Sequence, residues 1–301
     1  MARKLIFLWP QIVFIMKLNK TAIIIGTQKG GTTSLFNYLS QHPQISESKV
    51  KETNFFLKDS QWDRGLEYYK NLWEWDSQKH LTALEASPNY TNSLKNASKV
   101  IQRIQTIDAT FKFIYILRDP IKKIESMRKQ GVYQGWYARR LEKETPDSVP
   151  LEVIECVSYA KIADKFVKAF SKENVLLIEM SALINKASSS QLMSKICQFL
   201  EIDSSFEFEL EKVHNSQGSY RKDTLWNYFQ RSKYLSFLKN IFSDPIKNNA
   251  RRILSRSWKN KEEVLPLTEG QKDFIQAALQ DEMLRLRSEY GLALANWNIR
   301  R

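Results

Sequence analysis

The chain is poor in the residues that build disulfide and metal frameworks. Its 301 residues include two cysteines, Cys156 and Cys197, and three histidines, His42, His80 and His214. The cysteines form no C-x-x-C pair and each falls in an amphipathic pattern, so we expect buried free thiols rather than a disulfide. The histidines are scattered, and no metal cluster is visible in the sequence.

The chain also lacks an apolar run long enough to cross a membrane, which needs about 20 residues. The nearest candidate, residues 5–16, follows two basic residues as a signal segment would, but a Pro-Gln pair interrupts it and no small-residue cleavage site follows. We therefore expect a cytoplasmic protein in which residues 1–20 form an N-terminal extension. Met16 as the true start, and a peripheral membrane contact, stay open as alternatives.

Positive charge and apolar residues are abundant instead. Lys and Arg number 46 against 33 Asp and Glu, a formal net charge of +13, and a hydrophobic fraction of 43% excludes a disordered chain. The length suits one large α/β domain or two small ones. The charge favours anionic partners, namely nucleotides, nucleic acid, acidic glycans or anionic lipid surfaces, without choosing among them.

Short apolar runs alternate with helical patterns along the chain. The strands are predicted at residues 22–26, 81–86, 112–117 and 175–179, and the helices at 33–41, 63–72, 95–106, 120–130, 151–170, 188–200 and 268–289. Nearly continuous apolar strands are typical of a sheet buried on both faces. The alternation predicts an α/β fold, a P-loop-like three-layer sandwich with a central parallel sheet, and a ligand site beyond the carboxyl ends of the strands.

One strand ends in a glycine-rich loop with the form of a phosphate site. Residues 22–34 read A-I-I-I-G-T-Q-K-G-G-T-T-S, which predicts strand, loop and helix. Glycines let backbone N–H groups approach an anion, and a helix N-terminus adds about half a positive charge. Gly26 and Gly31 fit the nucleotide-triphosphatase pattern G-x-x-x-x-G-K-[ST], but Thr32 stands in the lysine position and the lysine has moved to Lys29. This displacement favours a group transfer other than ATP hydrolysis.

The loop resembles that of the sulfotransferases that use 3′-phosphoadenosine 5′-phosphosulfate (PAPS), in the branch of the heparan sulfate-modifying enzymes and their bacterial relatives. That family's 5′-phosphosulfate loop has the form G-x-x-K-x-G-T-[ST], and the chain reads G-T-Q-K-G-G-T-T. The resemblance extends from about residue 21 to 298 and is thinner at 131–160 and 223–265. It implies that PAPS is bound by Lys29, Gly30, Gly31, Thr32, Thr33 and Ser34.

A second predicted anchor follows the strand at 112–117. Arg118-Asp119-Pro120 precedes a helical pattern, and Ser126 lies eight residues after Arg118. This resembles the family's 3′-phosphate element, an apolar strand followed by R-[DE]-P and a serine at that distance. An arginine at a strand end can bind a phosphate through its planar set of donors. The resemblance implies that Arg118 and Ser126 bind the 3′-phosphate, a group that ATP lacks; a surface ion pair of Arg118 with Asp119 is the alternative.

The segment K-E-T-N-F-F at 51–56 lies between the two anchors. In the heparan-type branch a K-E-x-x-F-F segment follows the first helix, and its glutamate is the catalytic base. The flanking sequences L-S-Q-H-P-Q-I and R-G-L-E-Y-Y-K-N-L-W also resemble that branch. The resemblance gives Glu52 the role of general base. Glu47 and Glu85 are rival carboxylates, and we expect for Glu85 a supporting role at most.

A late basic segment completes the predicted donor site. Residues 214–222 read H-N-S-Q-G-S-Y-R-K and resemble the family's loop that covers the nucleotide, which implies donor contacts from Ser219, Arg221 and Lys222. Residues 221–263 carry eleven basic and four acidic residues with interleaved aromatics. We expect a helical acceptor-side insertion around 221–265 within one sulfotransferase domain at 21–301.

Together these motifs imply a sulfotransferase that moves a sulfuryl group from PAPS to a hydroxyl or amine of an acceptor. The branch makes a carbohydrate or glycolipid the expected acceptor, with Lys29 stabilising the leaving phosphate, no metal required and no nucleic acid partner. Two alternatives stay open. A P-loop nucleotide kinase or phosphotransferase needs a lysine where Thr32 stands, and a non-catalytic basic protein would bind nucleic acid or membrane without donor.

Overall fold

The computed structural model describes residues 20–133, 137–210 and 266–297. Over these residues five strands form one parallel sheet in the order β2-β3-β1-β4-β5. The strands are β1 Lys20–Gly26, β2 Ile45–Glu47, β3 Thr82–Ala86, β4 Thr110–Leu117 and β5 Val175–Glu179. Between β3 and β4 the chain passes from one side of β1 to the other. The carboxyl end of β1 is therefore the switch point at which such sheets bind ligands.

Helices cover both faces of the sheet. In the described part of the chain they are α1 Thr32–Leu39, α2 Asp59–Trp62, α3 Gly65–Lys70, α4 Leu94–Ile104, α5 Pro120–Tyr133, α6 Ala138–Leu141, α7 Leu151–Glu155, α8 Tyr159–Phe170, α9 Met180–Ile184, α10 Lys186–Leu200, α11 Glu269–Ala278 and α12 Gln280–Ser288. Short 3₁₀ turns lie at Pro88–Thr91 and Lys172–Asn174.

The apolar strands follow from this three-layer arrangement. Successive strand residues point to opposite faces, and both faces are covered. Ile23 and Phe113 accordingly belong to one buried cluster, and Ile24 and Ile114 to the other. Each such side chain contributes about 1.5–3 kcal/mol on full burial. The predicted fold class is confirmed, and the central strands place the glycine-rich loop on a rigid base.

The structure corrects some element boundaries. The helix predicted at 151–170 is wrong as one element: α7 ends at Glu155 and α8 begins at Tyr159. The start of α8 is capped from outside, because the buried Glu282 carboxylate accepts from Ala160 N–H at 2.8 Å and from Lys161 N–H at 3.2 Å. The pattern at 268–289 likewise divides at Leu279 into α11 and α12.

Other expectations have mixed outcomes. Cys156 and Cys197 are buried free thiols, as predicted. Among the described residues, every helix is too short or too polar to pass through a lipid bilayer. The helical insertion expected around 221–265 lies outside the described residues, as does all but the last residue of the 1–20 extension.

Candidate active site

The carboxyl end of β1 leads through the glycine-rich loop into α1. Thr27 N–H donates to the Ile116 carbonyl oxygen at 2.7 Å, and Gly30 N–H donates to the Thr27 carbonyl oxygen at 2.9 Å. A Cβ on Gly30 would lie 2.7 Å from Thr27 Cγ2 and 2.9 Å from the Thr27 carbonyl oxygen. Main-chain hydrogen bonds therefore hold the loop against β4, with no room for a larger residue than glycine at position 30.

The N-terminus of α1 has the features that favour an anion. Its cap residue, Gly31, has a left-handed φ of 91° and no side chain to cap the helix, and the first turn of α1 contains no acidic residue. The first N–H groups of a helix have no acceptor within the helix and carry its positive partial charge. Thr32 is buried there, while Thr33 and Ser34 are half-buried. A phosphate or sulfate group satisfies such a helix end.

Two predicted donor-binding residues, Lys29 and Arg118, meet at this loop. Lys29 is half-buried in the loop with a φ of 63°. Arg118 follows β4, and its Nη1 donates to the Lys29 carbonyl oxygen at 2.7 Å. Asp119 caps the start of α5, where its Oδ1 accepts from Lys122 N–H at 3.0 Å. Arg118 thus brings a permanent positive charge to the loop and braces its backbone, while Ser126 lies half-buried in α5.

A chain of side-chain amides connects this loop to the segment that contains Glu52. Gln28 Nε2 donates to Asn89 Oδ1 at 2.5 Å, and Asn89 Nδ2 donates to Asn54 Oδ1 at 2.9 Å. Asn54 Nδ2 then donates to the Glu52 carbonyl oxygen at 3.2 Å. We call Gln28, Asn89 and Asn54 the amide chain. The sequence motifs do not reveal it, although Asn89 follows a predicted strand and so falls at the same sheet edge.

The Glu52 side chain is the accessible carboxylate of this segment. It is 41% exposed, and its Oε1 lies 2.9 Å from Lys51 Nζ. Glu47, a rival in the sequence, is an exposed residue of β2. An exposed carboxylate in a segment that is hydrogen-bonded to the glycine-rich loop can take a proton from a substrate bound there.

Glu85, the other rival, is fully buried at the end of β3. Burial raises the pKa of its carboxyl group to about 7, against the opposing effect of hydroxyl groups that donate to it. These donors are Thr53, Tyr69, Ser87 and Tyr90. We call these four residues the hydroxyl shell.

Three predicted donor-binding residues lie outside the described residues, namely Ser219, Arg221 and Lys222. Within 20–133, 137–210 and 266–297 there is no group of three or more His, Cys, Asp or Glu side chains that could hold a metal ion.

Comparison with known proteins identifies relatives among the sulfotransferases. The family model described as "Sulfotransferase domain" matches residues 19–287. The chain is 25% identical over 175 residues to human heparan sulfate glucosamine 3-O-sulfotransferase 5. The aligned region covers 55% of this chain and 49% of that protein. It is 35% identical over 103 residues to the membrane-associated sulfotransferase kil1 of Dictyostelium discoideum, covering 34% and 21% of the two chains.

A solved structure shares the fold. The crystal structure of a sulfotransferase from Alicyclobacillus acidocaldarius aligns with a TM-score of 0.51 and 20% identity over 79% of this chain and 96% of that one. The chain spans about half the length of the heparan sulfate 3-O-sulfotransferase 5 relatives that it matches.

Proposed function

The chain belongs to the sulfotransferase domain family, and on that premise we propose that it moves a sulfuryl group from PAPS to a hydroxyl or amine of an acceptor. The observation that carries this proposal is the meeting of Lys29, Arg118 and the open N-terminus of α1 at one loop. The amide chain joins that loop to the Glu52 segment. Anion binding and a candidate base therefore share one edge of the sheet.

The donor would bind along this edge. Its 5′-phosphosulfate fits the loop and the first turn of α1, where backbone N–H groups and the charge of the helix end favour an anion. Its 3′-phosphate is assigned to Arg118 and Ser126. The proposed donor-binding residues are Lys29, Gly30, Gly31, Thr32, Thr33, Ser34, Arg118, Ser126, Ser219, Arg221 and Lys222.

The reaction follows from these roles. The acceptor oxygen or nitrogen attacks sulfur and forms the new bond as Glu52 takes the acceptor's proton. The bond between sulfur and the oxygen that bridges to the 5′-phosphate breaks, which releases adenosine 3′,5′-bisphosphate. Negative charge develops on that oxygen, where Lys29 and the N–H groups of α1 can stabilise it. This chemistry needs no metal ion.

A carbohydrate or glycolipid is the proposed acceptor. The names of the human relatives specify heparan sulfate glucosamine as the group that those proteins modify. The amide chain also offers both donors and acceptors, which suit sugar hydroxyl groups. A cytoplasmic location stays part of the proposal, and a peripheral membrane contact is supported by the name of the Dictyostelium relative, a membrane-associated sulfotransferase.

The test is transfer of labelled sulfate from PAPS to a panel of heparan-type oligosaccharides, neutral oligosaccharides and glycolipids. We expect time-dependent labelling of at least one glycan class, together with calorimetric binding of adenosine 3′,5′-bisphosphate. Binding of ATP–Mg²⁺ in place of the bisphosphate would support the kinase alternative and overturn the proposal. Salt-sensitive binding of DNA or lipid vesicles without donor binding would overturn it in favour of a non-catalytic protein.

A further inference from the structure

Three consecutive backbone N–H groups after Glu52 are held by side-chain hydroxyls rather than by other backbone groups. Asn54 N–H donates to Ser87 Oγ at 3.1 Å. Phe55 N–H donates to Thr53 Oγ1 and Phe56 N–H to Tyr90 Oη, each at 3.2 Å. Asn54 also has a left-handed φ of 48°. The turn that presents Glu52 therefore depends on hydroxyl groups, two of which belong to residues beyond β3.

The same three hydroxyls donate to one buried carboxylate. Oε2 of Glu85 accepts from Thr53 and, at 3.2 Å, from Ser87, and Oε1 accepts from Tyr90 at 3.3 Å and Tyr69 at 3.1 Å. An ionised carboxylate offers about four acceptor positions, so the hydroxyl shell fills them. With each hydroxyl proton directed at Glu85, the lone pairs of three hydroxyls remain for the N–H groups of the turn.

Water does not compete for these bonds. Glu85, Ser87 and Tyr90 are 0% exposed. Hydrogen bonds to an ionised group are about twice as strong as neutral ones, and they strengthen further in a poorly solvated interior. The titratable groups that contact Glu85 are Tyr69 from α3 and Tyr90 from the 3₁₀ turn. Burial and the nearby carboxylate raise the pKa of both phenols well above the usual value, so both remain donors.

We propose that Glu85 is a positioning residue for the base: through the hydroxyls of Thr53, Ser87 and Tyr90 its carboxylate fixes the turn directly after Glu52. Asn54, within that segment, donates to the Glu52 carbonyl oxygen. The Glu52 carboxylate is partly exposed and pairs with Lys51, while the position of its backbone depends on the segment that follows it. The proposal rests on the proposed role of Glu52 as general base, since a positioned carboxylate matters only if it acts on the acceptor.

Two tyrosines provide a matched test. Tyr69→Phe and Tyr90→Phe each remove one phenol that donates to Glu85 Oε1, but only Tyr90 also accepts from Phe56 N–H. We expect Tyr90→Phe to lower kcat about 10-fold or more, because small displacements of a catalytic group are costly. We expect Tyr69→Phe to change kcat by no more than about 3-fold. Affinity for adenosine 3′,5′-bisphosphate should be unchanged in both.

Amide hydrogen exchange gives a readout that does not require the acceptor substrate to be known. The Phe56 amide should lose protection in Tyr90→Phe and keep it in Tyr69→Phe. A second pair, Thr53→Val and Thr53→Ser, should show loss and rescue of kcat, because serine restores the hydroxyl and valine does not. Equal kcat within each pair, with transfer assayed on the acceptor found in the panel, would overturn the positioning role and leave a purely structural network.

The outcomes also separate the two proposals. If Glu52→Gln keeps full turnover, the base assignment fails, and with it the positioning role. If Glu52→Gln is inactive while Tyr90→Phe and Tyr69→Phe have equal kcat, the proposed function stands and only the positioning role is overturned.

Discussion

The proposed donor side and the proposed base side of the site are held in place by different groups, the backbone on one side and side chains on the other. On the donor side, Thr27, Gly30 and Lys29 are fixed through their backbone groups, to which Arg118 adds a guanidinium bond. On the base side, Ala86 N–H donates to the Lys51 carbonyl oxygen at 2.9 Å. The turn after Glu52, however, is held through the side chains of Thr53, Ser87 and Tyr90. Main-chain bonds survive most substitutions, whereas a bond from a backbone N–H to a side-chain hydroxyl is lost when that oxygen is removed. The two sides should therefore respond differently to mutation.

The base side gives the largest expected effect. Glu52→Gln keeps size and removes the proton acceptor, so turnover should fall about 10²-fold or more. Donor binding should not change, because the loop and Arg118 are untouched. Initial rates of sulfate transfer and calorimetry with adenosine 3′,5′-bisphosphate measure the two quantities. Glu47→Gln, on the exposed residue of β2, is the control with near-normal turnover; the reverse result would transfer the base role to Glu47.

On the donor side the sharpest probe is Arg118→Ala. Loss of a charge-assisted bond of about 1.5–3 kcal/mol should weaken binding of adenosine 3′,5′-bisphosphate roughly 10- to 100-fold. Turnover at saturating donor should fall less. Arg118→Lys keeps the charge without the planar set of donors, so its affinity for the bisphosphate should lie between those of the wild type and Arg118→Ala. If the bisphosphate binds Arg118→Ala as tightly as the wild type, the 3′-phosphate assignment is wrong.

The smallest effect distinguishes stability from activity. Burial raises the pKa of Glu85 from 4.5 to about 7, so between these two pH values the folded protein holds a proton that the unfolded chain has released. The stabilisation is fully present below pH 4.5 and is lost as pH rises through about 7. The slope contributed by this group is at most about 1.4 kcal/mol per pH unit.

Urea unfolding from pH 5 to 8 measures this slope, with Glu85→Gln as the control that lacks the titrating group. We expect the unfolding free energy of the wild type to fall relative to that of the variant as pH rises. Activity should change in the opposite direction, because the hydroxyl shell needs the ionised form as its common acceptor. Parallel unfolding profiles would show that Glu85 does not titrate in this range.

The sequence predicts the two sides of the site to different extents, because one is a contiguous loop and the other depends on side chains distant in sequence. The loop from Gly26 to Thr33 is contiguous, so the spacing of its glycines and lysine is enough to predict its conformation. Arg118 is predicted as a site residue because it directly follows a predicted strand. The four partners of Glu85 come from three separate segments between Thr53 and Tyr90, and no spacing rule joins them. The sequence therefore predicts Glu85 only as a rival or supporting carboxylate.

The elements show a similar limit. The long apolar strands are predicted because burial on both faces leaves a continuous signal. β2 has three residues, too few for any periodicity to be read. The break between α7 and α8 depends on Glu282, which lies far along the chain from the helix that it caps.

The central position of β1 has a consequence for how the protein folds. Thr21 pairs with Ala83 and Lys20 with Thr110, so both neighbours of β1 are synthesised well after β1 itself. Parallel pairing requires long crossovers, and the entropy of closing them is lost before any contact is gained. The phosphate loop is encoded near the start of the described chain, yet its support against Ile116 is complete only once β4 has emerged from the ribosome. Folding of this site is consequently tied to the slow, non-local step of sheet assembly.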